Sequence, residues 1–150
     1  MNITDRIKTF DDALEELGKD HPLVKEYKAL CKADVTENTV VYSRLCVITA
    51  AMNEGWTPRF VKGEYRYFPY FYLYTNEEIS RMSEEELSRV VYRSSSYAYA
   101  VGGVSYAYAD YDSADVVAYI GSRLAFKTEE LAEYAGKQFI KLYAEYLLKA

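Results

Sequence analysis

Histidine, cysteine and proline are scarce in this sequence of 150 residues, which contains one, two and three of them respectively. A single histidine leaves Ser or Cys nucleophiles without the partners of a catalytic triad, and it supplies only one ligand towards a zinc site. His21 lies between Asp20 and Pro22 at a predicted helix start, where a residue of the capping region is the simpler interpretation. We therefore expect neither hydrolytic catalysis through histidine nor a bound zinc ion.

The cysteines and the lack of long apolar runs bear on the compartment. Cys31 and Cys46 have no CxxC partner, so free thiols in a reducing compartment are the favoured interpretation, with a disulfide as the alternative. No run approaches the ~18 apolar residues of a membrane span, and the charged, amphipathic N-terminus does not resemble a signal peptide. We expect a cytoplasmic protein of the producing cell without membrane association.

The charge and the aromatic content favour a soluble domain with half-buried surfaces. The net charge of -5 argues against general phosphate binding, which depends on Lys and Arg. Aromatic residues make up 16% of the chain, and 17 of them are Tyr against one Trp. Because Tyr combines an apolar ring with a polar tip, such a composition is typical of half-buried surfaces rather than of an unusually apolar core.

Two groups of carboxylates resemble candidate sites but have simpler interpretations. Asp110, Asp112 and Asp115 could gather oxygen ligands for Ca²⁺, yet the remaining EF-hand positions are not filled, so an Asp-rich turn is favoured over an ion site. The glutamates between Glu77 and Glu86 cluster at predicted helix N-termini, where the helix dipole favours negative charge. We find no catalytic motif, metal site or cofactor site, and we expect a protein that is not an enzyme.

The periodicity of the chain predicts one domain of the α+β class. Apolar residues recur at helical spacing through residues 1–54 and again through residues 129–148, where Thr128 caps the final helix. Residues 64–126 contain the predicted sheet, with a helical excursion over residues 75–93. We expect the N-terminal helices and the long C-terminal helix to pack on one face of a small, mainly antiparallel sheet.

Two aromatic segments predict the strands of that sheet. The block Tyr65 to Tyr74 contains Pro69, which cannot donate to a ladder, so the strand lies at an edge, is bulged, or is broken in two. The segment YAYAVGGVSYAYA, Tyr97 to Ala109, alternates on both sides of Gly102 and Gly103, which predicts a Tyr-rich hairpin with a two-residue turn. Tyr97, Tyr99, Tyr106 and Tyr108 would share one face of it. Shorter strands are predicted at 116–120 and 122–126.

Three motifs carry a resemblance to known proteins: NEGWTP at Asn53 to Pro58, YRYFPYF at Tyr65 to Phe71, and GSRLAFKTEELAEYAGKQF at Gly121 to Phe139. In this order and spacing they resemble a family of small proteins from Bacteroides-type gut bacteria and from their phages and mobile elements. The family has no established function, so the resemblance implies a phage or mobile-element context and no activity. The sequence departs from it at Tyr70, where the family tends to have Trp, and through the additional residues 75–93.

These features favour a protein-interaction or assembly module that is not an enzyme. Aromatic side chains on a sheet are enriched at protein interfaces, so we expect a protein partner or self-association, with a virion as a further setting in the phage context. The alternative is stacking on single-stranded nucleic acid or on a glycan, which the acidic charge disfavours for nucleic acid. The candidate binding residues are Trp56, Tyr70, Tyr72, Tyr97, Tyr99, Tyr106, Tyr108 and Arg123.

Overall fold

A computed structural model of the protein describes residues 1–59, 61–93, 102–113 and 120–149. Within them lie eight α-helices and two strands, β1 (Tyr65–Tyr74) and β2 (Gly103–Ser113), which confirms the α+β class. The helices are α1 (Ile3–Arg6), α2 (Phe10–Leu17), α3 (Pro22–Lys32), α4 (Glu37–Met52), α5 (Asn76–Ser80), α6 (Glu84–Ser88), α7 (Glu129–Gln138) and α8 (Ile140–Leu148).

Local sequence signals fix where several helices begin and end. The Thr9 hydroxyl accepts the amide of Asp12, and the Asp12 carboxylate accepts the amide of Thr9, so α2 begins with a capping box. Gly18 follows α2 with a positive φ of 84°, a conformation that favours glycine. Thr75 caps α5 in the same reciprocal manner with Glu78. The predicted helical excursion is thus present as the two short helices α5 and α6.

The sheet consists of β1 and β2 in antiparallel register. Arg66 pairs with Asp112 and Tyr70 with Tyr108, but Phe71 pairs with Tyr106, so Ala107 is the extra residue of a β-bulge. β1 continues through Pro69 without a break, because the backbone of Pro69 faces away from β2 and no ladder bond is lost. Of the alternatives offered for this strand, the edge holds within the described residues, while the bulge lies in β2 and the break is absent.

The predicted turn at Gly102 and Gly103 is wrong. Gly103 already lies in β2, and the amide and carbonyl of Val104 bond Val91 at 2.9 and 2.8 Å, which leaves them no pairing across such a turn. Close packing explains both glycines instead. A Cβ at Gly102 would lie 2.5 Å from the carbonyl oxygen of Tyr74, and one at Gly103 would lie 2.5 Å from Cγ1 of Val90.

Two further predictions need correction near the C-terminus. The long final helix is divided at Phe139, whose buried ring and non-helical ψ of 26° separate α7 from α8. The strand predicted at 122–126 is a 3₁₀ turn over Ser122–Leu124, followed by a single bridge between Phe126 and Tyr67. Of the strand predicted at 116–120, all but Ile120 lies outside the described residues.

The helices of the N-terminal half, α7 and α8 pack on one face of the sheet and form the main core with it. α4 lies at its centre, with Leu45, Ile48 and Met52 fully buried. α7 approaches the strands closely at Gly136, where a Cβ would lie 2.6 Å from Cβ of Pro69. α1 and the residues after it are joined to α7 by the Tyr134 hydroxyl, which donates to the carbonyl of Ile7 at 2.6 Å. No helix in the described part of the chain has the length and apolar character that crossing a membrane requires.

Candidate functional site

A buried ion pair closes one end of the sheet on the face that points away from α7. Nε and Nη2 of Arg66 donate to the two carboxylate oxygens of Asp112 at 2.6 and 3.0 Å, and both side chains are buried. The guanidinium also donates to the hydroxyl of Ser122 and to the carbonyl of Ile120. Because a buried charge is costly unless it is paired and hydrogen-bonded, this end of the sheet is fixed in place. We call it the closed end.

A second cover lies at the other end of the same face. A Cβ at Gly103 would lie 2.8 Å from Cδ1 of Ile79 on α5 and 2.5 Å from Cγ1 of Val90, which follows α6. The Tyr74 hydroxyl and the Ser105 hydroxyl lie 2.9 Å apart and share a hydrogen bond beside this contact. The helical excursion therefore lies over this end of the strand pair. Between the two covers, Tyr70, Tyr72 and Tyr108 stay exposed.

We call the three exposed tyrosines between the two covers the aromatic face. Tyr70, Tyr72 and Tyr108 are 43%, 55% and 48% exposed. The rings of Tyr70 and Tyr108 stack with centroids 5.2 Å apart and planes 5° from parallel. Both residues project from paired strands, so the two rings are held as one flat unit.

The charges beside the aromatic face are mostly negative. Loss of hydration raises the pKa of Tyr108, and the carboxylate of Asp110 beside it adds to the shift. A shallow groove of about 420 Å³ next to Tyr72 is lined by Glu78 and Glu86, and its one cation, Arg81, is paired with Glu77. Arg66 at the closed end and Arg123 are both engaged in ion pairs. This arrangement suits a partner surface that carries Lys or Arg better than a phosphate backbone.

The prediction that four tyrosines share one face is wrong for Tyr106 and Tyr108. The bulge at Ala107 reverses the alternation between them, so Tyr108 lies on the aromatic face while Tyr106 packs towards α7. Its ring would be 2.9 Å from a Cβ at Gly136, and the Lys137 ammonium lies 5.3 Å from the ring centroid. The other two predicted tyrosines, Tyr97 and Tyr99, lie outside the described residues.

Trp56 and Arg123, the remaining predicted site residues, are brought together in a different place. They line one cavity of about 220 Å³ with Leu23 and Pro58, and Trp56 also borders a cavity of about 520 Å³ beside α2. Arg123 donates to the carboxylate of Glu26 on α3 at 2.9 Å. This surface is half-buried at Trp56 and is built from helices rather than from the sheet.

The candidate metal and nucleophile residues have structural roles where they are described. Asp112 is held by Arg66, Asp110 lies in β2 rather than in a turn, and Asp115 is outside the described residues. Among the described residues, no group of His, Cys, Asp and Glu side chains could hold a metal ion. His21 caps α3 as predicted, with Nδ1 accepting the amide of Leu23 at 3.1 Å. Cys31 and Cys46 are both free, so the alternative of a disulfide is wrong.

Sequence reasoning missed the partner of Arg66. The available signal was a charged residue in each of two strand segments, Arg66 in the aromatic block and Asp112 in the segment that follows Ala109. The two are 46 positions apart in the sequence, and only the register of the strands brings them together.

In comparisons with known proteins, the chain matches no protein-family model, and no significant similarity to a curated protein or to a solved structure was found.

Proposed function

We propose that the protein is an interaction module, not an enzyme, that docks a protein partner on the aromatic face. The observation that carries this proposal is the flat Tyr70 and Tyr108 unit, exposed between two covers that hold the strands in place. Rigid tyrosines lose little conformational entropy on binding and offer a large contact area, which is why they are enriched at interfaces. The cavity at Trp56 is the second surface that the partner would contact.

The charges support a partner that presents Lys or Arg. Asp110 borders the aromatic face on one side, and Glu78 and Glu86 border it on the other. A cation placed over a tyrosine ring gains about 0.5–2 kcal/mol, and the carboxylates would add attraction at low salt. The resemblance to proteins of phages and mobile elements favours a partner from that setting, in the cell or in a virion.

A pair of double variants tests the proposal. Tyr70→Ala with Tyr108→Ala removes the stacked unit, while Tyr65→Ala with Tyr111→Ala removes another exposed tyrosine pair, with centroids 4.9 Å apart, from the opposite face. Tagged proteins are used to capture partners from a lysate of the producing cell, with and without nuclease. We expect the first variant to lose a nuclease-resistant partner that the second retains, while both keep the wild-type circular dichroism spectrum.

Other outcomes would contradict the proposal in distinct ways. A partner retained by the Tyr70 and Tyr108 variant would show that the aromatic face does not bind it. Recovery of nuclease-sensitive material alone, with binding to oligonucleotides that weakens steeply as salt is added, would favour a single-strand binder.

A further inference from the structure

Among the residues that the structure describes, none pairs with the outer edge of β1 beyond Tyr67. The amide and carbonyl of Tyr67 bond Phe126 on the side away from β2, at 3.0 and 2.7 Å. Since the backbone groups of a strand alternate in direction, those of Pro69, Phe71 and Leu73 point the same way. Within the described part of the chain, the bridge to Phe126 is the only pairing on this edge. We call the segment from Pro69 to Leu73 the β1 edge.

The β1 edge has little of the protection that monomeric proteins give to edge strands. No charged residue occurs between Tyr67 and Tyr74, and the bulge lies in β2 instead. Leu73 is 56% exposed, and a groove of about 240 Å³ runs along the edge between Ile120 and Leu147, where no described residue that lines it is charged. In the described part of the chain, the one protective feature is Pro69, which has no amide to donate. Exposed apolar edges of this kind are templates for another strand.

We propose that the β1 edge pairs with the β1 edge of a second copy, antiparallel and with the two-fold axis at Phe71. In this register the two Phe71 residues exchange both of their backbone hydrogen bonds. The amide of Leu73 donates to the carbonyl of Pro69 in the other copy, so the missing amide of proline costs one bond at each end of the ladder and none at its centre. The result is a continuous four-stranded sheet across the dimer.

The same register makes the side chains complementary to themselves. Tyr70 lies opposite Tyr72 of the second copy, and aromatic pairs directly opposite each other across strands are stabilising. On the other side of the sheet Pro69 lies opposite Leu73 of the second copy, next to the groove that Leu147 lines. Every cross-strand pair is aromatic or aliphatic, and none brings like charges together. The aromatic faces of the two copies become continuous, which doubles the surface offered to a partner.

The oligomeric state of the purified full chain tests the pairing. Sedimentation equilibrium over a range of concentrations should show a monomer–dimer equilibrium that Tyr72→Lys weakens by at least about tenfold, since it places an ammonium in each half of the paired edge. Tyr65→Lys is the matched control, because it makes the same change on the same strand at similar exposure, outside the paired segment. A monomer at all concentrations, or equal weakening by both variants, would overturn the proposal.

Engineered cysteines test the register, in a Cys31→Ser background that removes the exposed native thiol. Residues 70 and 72 of opposite copies would have Cα atoms about 4.5 Å apart, within the range of a disulfide. A mixture of Tyr70→Cys and Tyr72→Cys proteins should therefore cross-link under copper phenanthroline oxidation, while either protein alone should not. Cross-linking of either protein alone as readily as the mixture would place the axis elsewhere and overturn the register.

The pairing adds one named partner to the proposed function and shares Tyr70 and Tyr72 with it. The two claims fail separately. Sedimentation of the purified protein involves no other partner, and Leu73→Pro removes an edge amide while leaving Tyr70, Tyr72 and Tyr108 intact. We expect Leu73→Pro to weaken the dimer and to keep the partner that the aromatic face binds. A Leu73→Pro protein that dimerises like the wild type would show that the edge backbone takes no part.

Discussion

The two halves of β1 have similar aromatic sequences but opposite surroundings. Its first half, at the closed end, is bridged to Phe126 on its outer side and carries Arg66 in a buried ion pair. Its second half exposes Tyr70, Tyr72 and Leu73 and has no strand on its outer side among the described residues. One strand is therefore both part of the core and part of a surface, and the change occurs at Pro69.

The difference shows that cover, not composition, decides which aromatic residues are available. The closed end is covered by the segment from Ile120 to Phe126, which contacts Arg66 on one face and then crosses the strand edge at Tyr67. Beyond that crossing, nothing equivalent is present in the described residues. Variants that loosen the closed end should therefore cost stability, and those at the aromatic face should cost binding.

Asp112→Ala should have the largest effect on stability, because it leaves the Arg66 guanidinium in a buried site without its carboxylate. Breaking a buried ion pair on one side costs about 3–5 kcal/mol of unfolding free energy. Denaturant unfolding followed by circular dichroism measures it. The double variant Arg66→Met with Asp112→Leu removes both charges and should be less destabilised than the single one. A loss below about 1 kcal/mol for Asp112→Ala would mean that the closed end is not held by this pair.

Gly136→Ala should have the next largest effect, since a Cβ there would lie 2.6 Å from Pro69 and 2.9 Å from the ring of Tyr106. Overpacking of this kind costs about 1–3 kcal/mol, against about 1 kcal/mol gained from helix propensity. Gly121→Ala is the matched control, because that position has space around it and an extended backbone with φ of −67°. Equal unfolding midpoints for the two variants would argue against close packing of α7 on the strands.

Tyr42 on α4, which packs against the main core and stacks on Tyr146 of α8, provides a pH-dependent test of the helical layer. Burial raises the pKa of Tyr42 to about 12, and the Cys46 thiol nearby adds to the shift. An unfolded tyrosine ionises near pH ~10, so the contribution of Tyr42 to stability is complete below that pH and is lost as the pH rises towards about 12. Tyr42→Phe should lose less stability than the wild type between those values. The unfolding free energy of each protein at pH 8 serves as its reference. Equal losses of unfolding free energy in the two proteins as the pH rises would refute a contribution from Tyr42.

Leu73→Ala should have the smallest effect on the folded monomer. Leu73 is exposed, so truncation should change the unfolding free energy by no more than about 0.5 kcal/mol at concentrations too low for self-association. Phe126→Ala, at the fully buried residue across the other half of the same strand, should cost about 3–5 kcal/mol. Similar costs for the two substitutions would remove the contrast between the halves of β1.

The parts of the fold that the sequence predicts are those fixed by neighbours along the chain. The capping box at Thr9, the cap at His21 and the two helices of the excursion need only residues three or four positions away. The α+β class followed from the same local periodicities. That Tyr70 and Tyr72 share a face of β1 also followed from alternation along one strand, and both are exposed.

The errors arose where long-range packing overrode a local pattern. The symmetry about Gly102 and Gly103 is typical of a hairpin, but Val104 pairs with Val91, and the glycines allow close contact with Tyr74 and Val90. The bulge at Ala107 leaves no mark in an alternating Tyr and Ala sequence, yet it moves Tyr106 to the opposite face from Tyr108. The Arg66 and Asp112 pair depends on register alone, which periodicity does not supply.

The bond from the Tyr134 hydroxyl to the carbonyl of Ile7 joins residues 127 positions apart, and this separation affects how the chain folds during synthesis. The residues around α1 leave the ribosome long before α7, against which they pack, so the main core cannot close until nearly all of the described chain has been made. Contacts this distant in sequence slow folding and leave apolar helix faces exposed while they wait. Folding of this protein should therefore be largely post-translational, and its nascent chain should depend on chaperones more than a chain of local contacts would.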